Sequence, residues 1–301
     1  MPTIDANGVS LHFESEGNEG DPVILMIMGL SVQLIFWPQP LVDLLVSKGF
    51  RVVRFDNRDV GLSSKLDHLG VPNIPLEFAR FMMHLPVRAP YRIDDMARDT
   101  AALIDALGLG RPHVVGASMG GMIGQNLAGQ FPEKVATLTS IMSTTGKRSL
   151  PKAQWRALQA LMSPPAKRGD VEGAIRRLMR VINLIGSQSY PPDQALLRQM
   201  CEQHILRSYH PAGGMRQLSA VAASDDRSEV VRLIKAPTLV IHGDEDPLVR
   251  PAAGADTAQT IRAGGGEARL AIFKGMGHDF PAALIPQIAE EIAVHCRSHP
   301  S

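Results

Sequence analysis

The chain has 301 residues, about 45% of them apolar and 20% charged, with a net charge of +1. That length fits one large α/β domain with room for an inserted subdomain. The charge balance leaves no electrostatic footprint for nucleic acid or an anionic membrane. No apolar run is long enough to span a bilayer, the start carries no basic and apolar leader pattern, and the two cysteines, Cys201 and Cys296, match no metal or redox spacing. The expectation is a soluble cytoplasmic protein with reduced thiols.

Residues 9–14 alternate apolar and polar side chains, as a half-buried strand does. Pro22 opens Val23-Ile24-Leu25-Met26-Ile27-Met28, an unbroken apolar run expected of a strand covered on both faces, hence of a parallel sheet between helices. A helix is predicted over 41–48, a strand over 51–55 and an amphipathic helix over 94–107. Val114 and Val115 begin a further strand. The next strands are predicted over 135–142, 238–242 and 269–273, and a closing helix over 285–295. Strands alternating with helices imply crossover connections and a mostly parallel sheet.

Two stretches break the alternation. Residues 66–91 hold Pro72, Pro75, Pro86 and Pro90 around Phe78, Phe81, Met82 and Met83. Residues 144–231 contain no strand pattern and are predicted helical over 153–162, 171–185, 194–206 and 214–223. Such an insertion between two core strands would form a cap, with the core made of 1–143 and 232–301. Met162, Leu178, Met179, Ile182, Leu184 and Met200 could line a pocket, although packing of the insertion's own small core accounts for them as well.

Chemistry concentrates at strand ends. Gly116-Ala117-Ser118-Met119-Gly120 forms a G-x-S-x-G pattern between an apolar run and a helical stretch. That context holds a serine exposed on a strained turn, with glycines letting strand and helix approach. A serine nucleophile also needs a base and an orienting acid. Met276-Gly277-His278 follows the last predicted strand and supplies the base. Gly243-Asp244-Glu245-Asp246 follows the strand before it. Three acids compete there, and Asp246 is preferred over Asp244, which reads as a turn former bonding backbone N–H groups. Asp279 reads as a turn or capping residue. Serine, aspartate and histidine thus come in the order expected of a serine nucleophile on this kind of sheet. Two backbone donors are needed for a developing oxyanion. They are expected at Met119, after the serine, and at Leu30, in the loop after the first buried strand.

With its Gly-Ala-Ser-Met-Gly-Gly, His242-Gly243-x-x-Asp246 and Gly277-His278-x-x-Pro281 motifs, the chain resembles the α/β-hydrolase superfamily from residue 9 to about 295. Asp56-Asn57-Arg58-Asp59-Val60-Gly61-Leu62-Ser63 is similar to a loop that shapes the ground beneath the site in that superfamily. Leu25-Met26-Ile27-Met28-Gly29, Trp37-Pro38 and the Arg-Asp-Val-Gly loop resemble the aclacinomycin methylesterase-like and carboxylesterase group, and residues 66–91 depart from it. The resemblance implies an α/β-hydrolase fold with a helical cap. It implies hydrolysis of a carboxylic ester through an acyl-enzyme, and neither metal nor organic cofactor; the composition of the insertion suggests a small-molecule ester with apolar, modest-sized acyl or alcohol groups. Lactonase, perhydrolase and C–C bond hydrolase chemistry use the same three residues. A non-catalytic small-molecule receptor is the reading from a different class. Activity is expected to rise with pH as the histidine loses its proton.

Overall fold

The computed structural model describes residues 2–167 and 169–300. Eight strands form one sheet: β1 (Thr3–Ala6), β2 (Val9–Glu16), β3 (Val23–Ile27), β4 (Arg51–Phe55), β5 (His113–Ala117), β6 (Leu138–Ile141), β7 (Thr238–Gly243) and β8 (Ala268–Phe273). Their spatial order is β1-β2-β4-β3-β5-β6-β7-β8. The pairs β1/β2 and β2/β4 are antiparallel, and every later pair is parallel. The two antiparallel strands sit together at one edge, so the remaining six need crossovers, which helices provide.

Those helices include α1 (Gln39–Ser47), α2 (Ile74–Met82), α3 (Ile93–Ala106), α4 (Met119–Gln130) and α10 (Ala252–Ala263), and α11 (Ile285–Arg297) closes the chain after β8. Between β6 and β7 come α5 (Trp155–Leu161), α6 (Val171–Ile185), α7 (Gln194–Arg207), α8 (Pro211–Ala223) and α9 (Ser228–Arg232).

The pleat explains why the central strands carry apolar residues on both faces. Successive side chains point to opposite faces. Leu25, Ile27, Val53, Val114, Leu138 and Val240 pack with Ile104 of α3, Ile123 and Leu127 of α4 and Ile261 of α10. Ile24, Met26, Val52, Val115, Leu239 and Ile241 pack on the other side with Leu41 and Leu45 of α1 and Ile288 and Ile292 of α11. All of these side chains are essentially inaccessible to solvent, and each contributes about 1.5–3 kcal/mol of burial.

A third, smaller cluster is formed within the insertion by Ala174, Ile175, Leu197, Cys201 and Ile205. Leu178, Met179, Ile182 and Met200 pack against it. Leu184 remains exposed. By contrast, α8 and α9 send Ala220 and Val231 into the main core.

Several elements differ from the sequence expectation. The sixth strand is shorter than 135–142: Val135 caps the short helical turn Pro132–Lys134, and pairing with the neighbouring strands begins at Leu138. The Pro-rich stretch contains α2. Pro75 sits in the first turn, where its missing N–H costs nothing, and the Asn73 side chain caps the helix by accepting from Leu76 N. β1, α9 and α10 carry no periodic signal strong enough to be read. Among the described residues no helix is long and apolar enough to cross a membrane. Both cysteines are free and buried, and burial pushes each thiol up to about 12.

Candidate active site

β5 ends at Ala117 and α4 begins at Met119, leaving Ser118 alone on the turn. Its backbone has φ 55° and ψ −119°, a conformation that costs a non-glycine residue about 1–3 kcal/mol. Neighbouring bonds hold it there: Ser118 N donates to Ile141 O of β6 at 2.9 Å, and Ser118 O accepts from Ser143 Oγ at 2.8 Å. The flanking glycines are compulsory. A Cβ on Gly116 would collide with Gly120 O, and one on Gly120 with Ile27 O. Strand, turn and helix therefore approach more closely than any side chain would allow.

His278 lies after β8 in the loop that precedes α11. Its Nε2 stands 2.9 Å from Ser118 Oγ, and its Nδ1 stands 2.7 Å from Asp246 Oδ2. Asp246 follows β7 and is wholly buried. Its second oxygen, Oδ1, accepts from Leu248 N and Val249 N, each at 2.8 Å. Burial alone would raise this carboxyl. The neighbouring His278 and hydrogen bonds from His242 and His278 outweigh it and hold Asp246 far below the usual carboxylate range. Asp246 is thus ionised and aimed at a histidine that reaches the serine. A hydroxyl so arranged can lose its proton to imidazole as it attacks an electrophile.

The competing acids go elsewhere. Asp244 Oδ1 accepts from Gly275 N at 2.6 Å, a backbone bond of the turn-forming kind. Glu245 accepts from Ser189 Oγ at 2.8 Å. Asp279 is not a cap of α11; it accepts from the N–H and hydroxyl of Ser187, which lies between α6 and α7. The short helical turn at 282–284 intervenes before α11, so Asp279 is too far along the chain to cap it.

The Leu30 loop runs against the serine. A Cβ on Gly29 would sit 3.2 Å from Ser118 Cβ and 3.7 Å from its Oγ. Met119 opens α4, where the first N–H groups of a helix have no intrahelical acceptor. The loop that leads into Leu30 thus meets the turn that leads into Met119.

Residues 56–63 form the floor beneath this loop. Asp56 Oδ1 accepts from Leu34 N at 2.8 Å, and Asn57 Nδ2 donates to Met28 O at 2.9 Å. Arg58 pairs with Asp99, and Asp59 pairs with Arg216 of α8, both buried.

Sequence reasoning missed three contributors. His242, buried in β7, has Nε2 2.8 Å from Val249 O and 3.5 Å from Asp246 Oδ2, so it braces the acid. Its place four residues before Asp246 was the available signal. Gln217 and Ser187 reach the site from the insertion, and no local pattern announces either. Among the described residues no group of three or more His, Cys, Asp or Glu could hold a metal ion.

A family model described as the alpha/beta hydrolase fold matches residues 22–165. The solved enol-lactonase of Burkholderia xenovorans LB400 superposes with a TM-score of 0.72 at 23% identity, covering 98% of this chain and 99% of that one. This chain has the α/β-hydrolase fold. Among curated proteins it is similar to rhodomycin D methylesterase DauP of Streptomyces sp. (strain C5), 29% identical over 99% of both chains. It is also similar to 3-oxoadipate enol-lactonase 2 of Acinetobacter baylyi, 26% identical over 84% of this chain and 82% of the other. In terms of the α/β-hydrolase fold, Ser118 occupies the strand-to-helix elbow after β5, and Asp246 and His278 end the two strands at the far edge.

Proposed function

We propose that the chain is a carboxylic ester hydrolase that works through an acyl-enzyme. The observation that carries this reading is the unbroken chain of contacts from Asp246 through His278 to Ser118 Oγ on a strained elbow. Ser118 Oγ attacks the ester carbonyl carbon while His278 Nε2 takes its proton. The N–H groups of Leu30 and Met119 receive the negative charge that forms on the carbonyl oxygen. Asp246 stabilises the imidazolium. His278 then gives the proton to the departing alkoxide, and the alcohol leaves. A water attacks the acyl-serine, surrendering a proton to His278, and collapse of that second intermediate frees the acid and restores Ser118.

The full-length similarity to a methylesterase supports esters of small alcohols as the first class to test. The insertion over 144–231 acts as a cap in this reading, and the remaining residues as the core. Unpaired buried thiols support a cytoplasmic setting.

Turnover of short p-nitrophenyl esters and of methyl esters, lost in Ser118→Ala and in His278→Ala, is the expected result. Serine-directed fluorophosphonate should label Ser118 in the wild-type protein only. Ester-inert protein that opens lactones would move the substrate class. Inertness to every acyl substrate together with no labelling would sink the enzyme reading.

A further inference from the structure

The loop that carries His278 is fastened to the middle of the helical insertion. His278 N donates to Ile185 O, the last residue of α6, at 2.8 Å. Gly277 N donates to Ser187 Oγ at 2.7 Å. Ser187 in turn gives two hydrogen bonds to one oxygen of Asp279, from N at 3.0 Å and from Oγ at 2.5 Å. Ser187 is 1% exposed. The hydroxyl is therefore spent in both directions, accepting from the residue before the histidine and donating to the residue after it. The backbones meet so closely that a Cβ on Gly277 would stand 2.5 Å from Gly186 C, and one on Gly186 would stand 2.8 Å from Asp279 Oδ2. One more link lies beside this seam, where Ser189 Oγ donates to Glu245 in the loop that bears Asp246.

Asp279 has no place in the Asp246–His278–Ser118 chain, yet its Oδ1 is held by two donors from Ser187. Burial pushes its carboxyl upward, and hydrogen bonds from the Ser187 hydroxyl and N–H oppose that push. A carboxylate in such a place needs its two donors.

We propose that Ser187 and Asp279 are positioning residues of the reaction, forming a clip that fixes the His278 loop to the cap and so sets the imidazole against Ser118. The proposal rests on the esterase reading for its kinetic readout. Neither residue touches the reacting atoms; both act through the backbone on either side of His278. A histidine displaced by about 1 Å loses around a hundredfold in rate, so small relaxations of this loop are costly. The clip also makes the α6–α7 junction a fixed point of the cap.

The test uses Ser187→Ala, Asp279→Ala, Asp279→Asn and the double variant Ser187→Ala/Asp279→Ala in the full chain. Three readouts are taken: steady-state hydrolysis of p-nitrophenyl acetate, the rate of Ser118 labelling by a fluorophosphonate, and amide hydrogen exchange at Gly277 and His278. Each alanine variant should lower kcat about tenfold to a hundredfold, with KM within about twofold of wild type and labelling slowed in step. Exchange at Gly277 and His278 should accelerate while the sheet amides stay protected. Asp279→Asn, whose amide oxygen can still accept from Ser187, should recover most of what Asp279→Ala loses. The double variant should be no worse than the more damaging single one, as expected of two halves of one device. Wild-type kcat in folded alanine variants, a rise in KM alone, or additive losses in the double variant would overturn the proposal. Should the wild-type protein neither turn over an ester nor take the label, the esterase reading fails by itself. Exchange at Gly277 and His278 then decides the clip: acceleration in Ser187→Ala upholds it and unchanged exchange refutes it.

Discussion

Gln217 Oε1, on α8, accepts a hydrogen bond from Ser31 N at 2.8 Å, and the same side chain donates through Nε2 to Arg58 O at 2.8 Å. Ser31 adjoins Leu30 and sits at φ 60°, a conformation that a serine does not hold unaided. Gln217, wholly buried, thus pins the loop expected to offer the Leu30 N–H to an oxyanion. Replacing Gln217 by Leu keeps the volume and removes the acceptor. Deleting an oxyanion donor outright costs about 10²–10³ in kcat; loosening one through its neighbour should cost about a tenth of that, about tenfold to a hundredfold. Steady-state kinetics should show the loss in kcat with KM little changed, and a rise in KM with kcat unchanged would count against a role in charge stabilisation.

The acid can be assigned by comparing two neighbours. Asp246→Asn keeps the shape of the side chain and loses the charge that orients and stabilises the imidazolium, so kcat should fall by about 10⁴. Asp244→Asn keeps the oxygen that accepts from Gly275 N and should remain within a few-fold of wild type. Reversal of the two effects would move the role to Asp244.

Arg216 is buried and bidentate to Asp59, with further bonds to Gly70 O and Asp67. Asp59 also receives Tyr91 Oη and Leu66 N, each at 2.8 Å. Removing one partner strands a buried charge, so Arg216→Met should cost about 3–5 kcal/mol in denaturant unfolding. Arg216→Met combined with Asp59→Asn should be milder than the single change, because the stranded charge is gone.

Three buried histidines predict how the fold responds to acid. Burial lowers His113, His204 and His295 from 6.5 to about 4. The unfolded chain takes up these protons as pH drops below 6.5, and the folded chain resists until about 4. Their contribution is complete above the unfolded value and is lost progressively between the two. The melting temperature should therefore decline from about pH 6.5 downward, with proton uptake on unfolding approaching three. Asp59 and Asp246, both held below the usual carboxylate range against the effect of burial, add their loss only at lower pH. His204→Leu should flatten the upper part of the decline in calorimetric scans; an unchanged slope would remove His204 from the account.

Much of the sheet is legible in the chain because buried parallel strands are apolar on both faces. Val23–Ile27 and the Thr238–Ile241 part of β7 announce themselves in this way. The helix over Val171–Ile185 is equally plain, with apolar residues on one face and charges on the other. α10 is not, since Ala, Gly and Thr give it little contrast between faces. β1 is four residues long, and α2 hides among prolines. Ser118, Asp246 and His278 are readable as candidates because each follows a strand with a glycine within three residues. Gln217 and Ser187 are unreadable for a physical reason: their partners lie 186 and more than 90 residues away in sequence, and only the folded chain brings them together.

The seams between the insertion and the sheet loops have an evolutionary and practical consequence. Gln217 grips the Leu30 loop, Ser187 grips the His278 loop, and Arg207 reaches Gln33 and Asp56 from α7. The insertion is consequently no exchangeable cassette. Grafting a foreign segment in place of 144–231, or excising it, would dismantle the fixtures of the loops that carry Leu30 and His278. Redesign of substrate preference would have to proceed by point changes that leave those three grips in place.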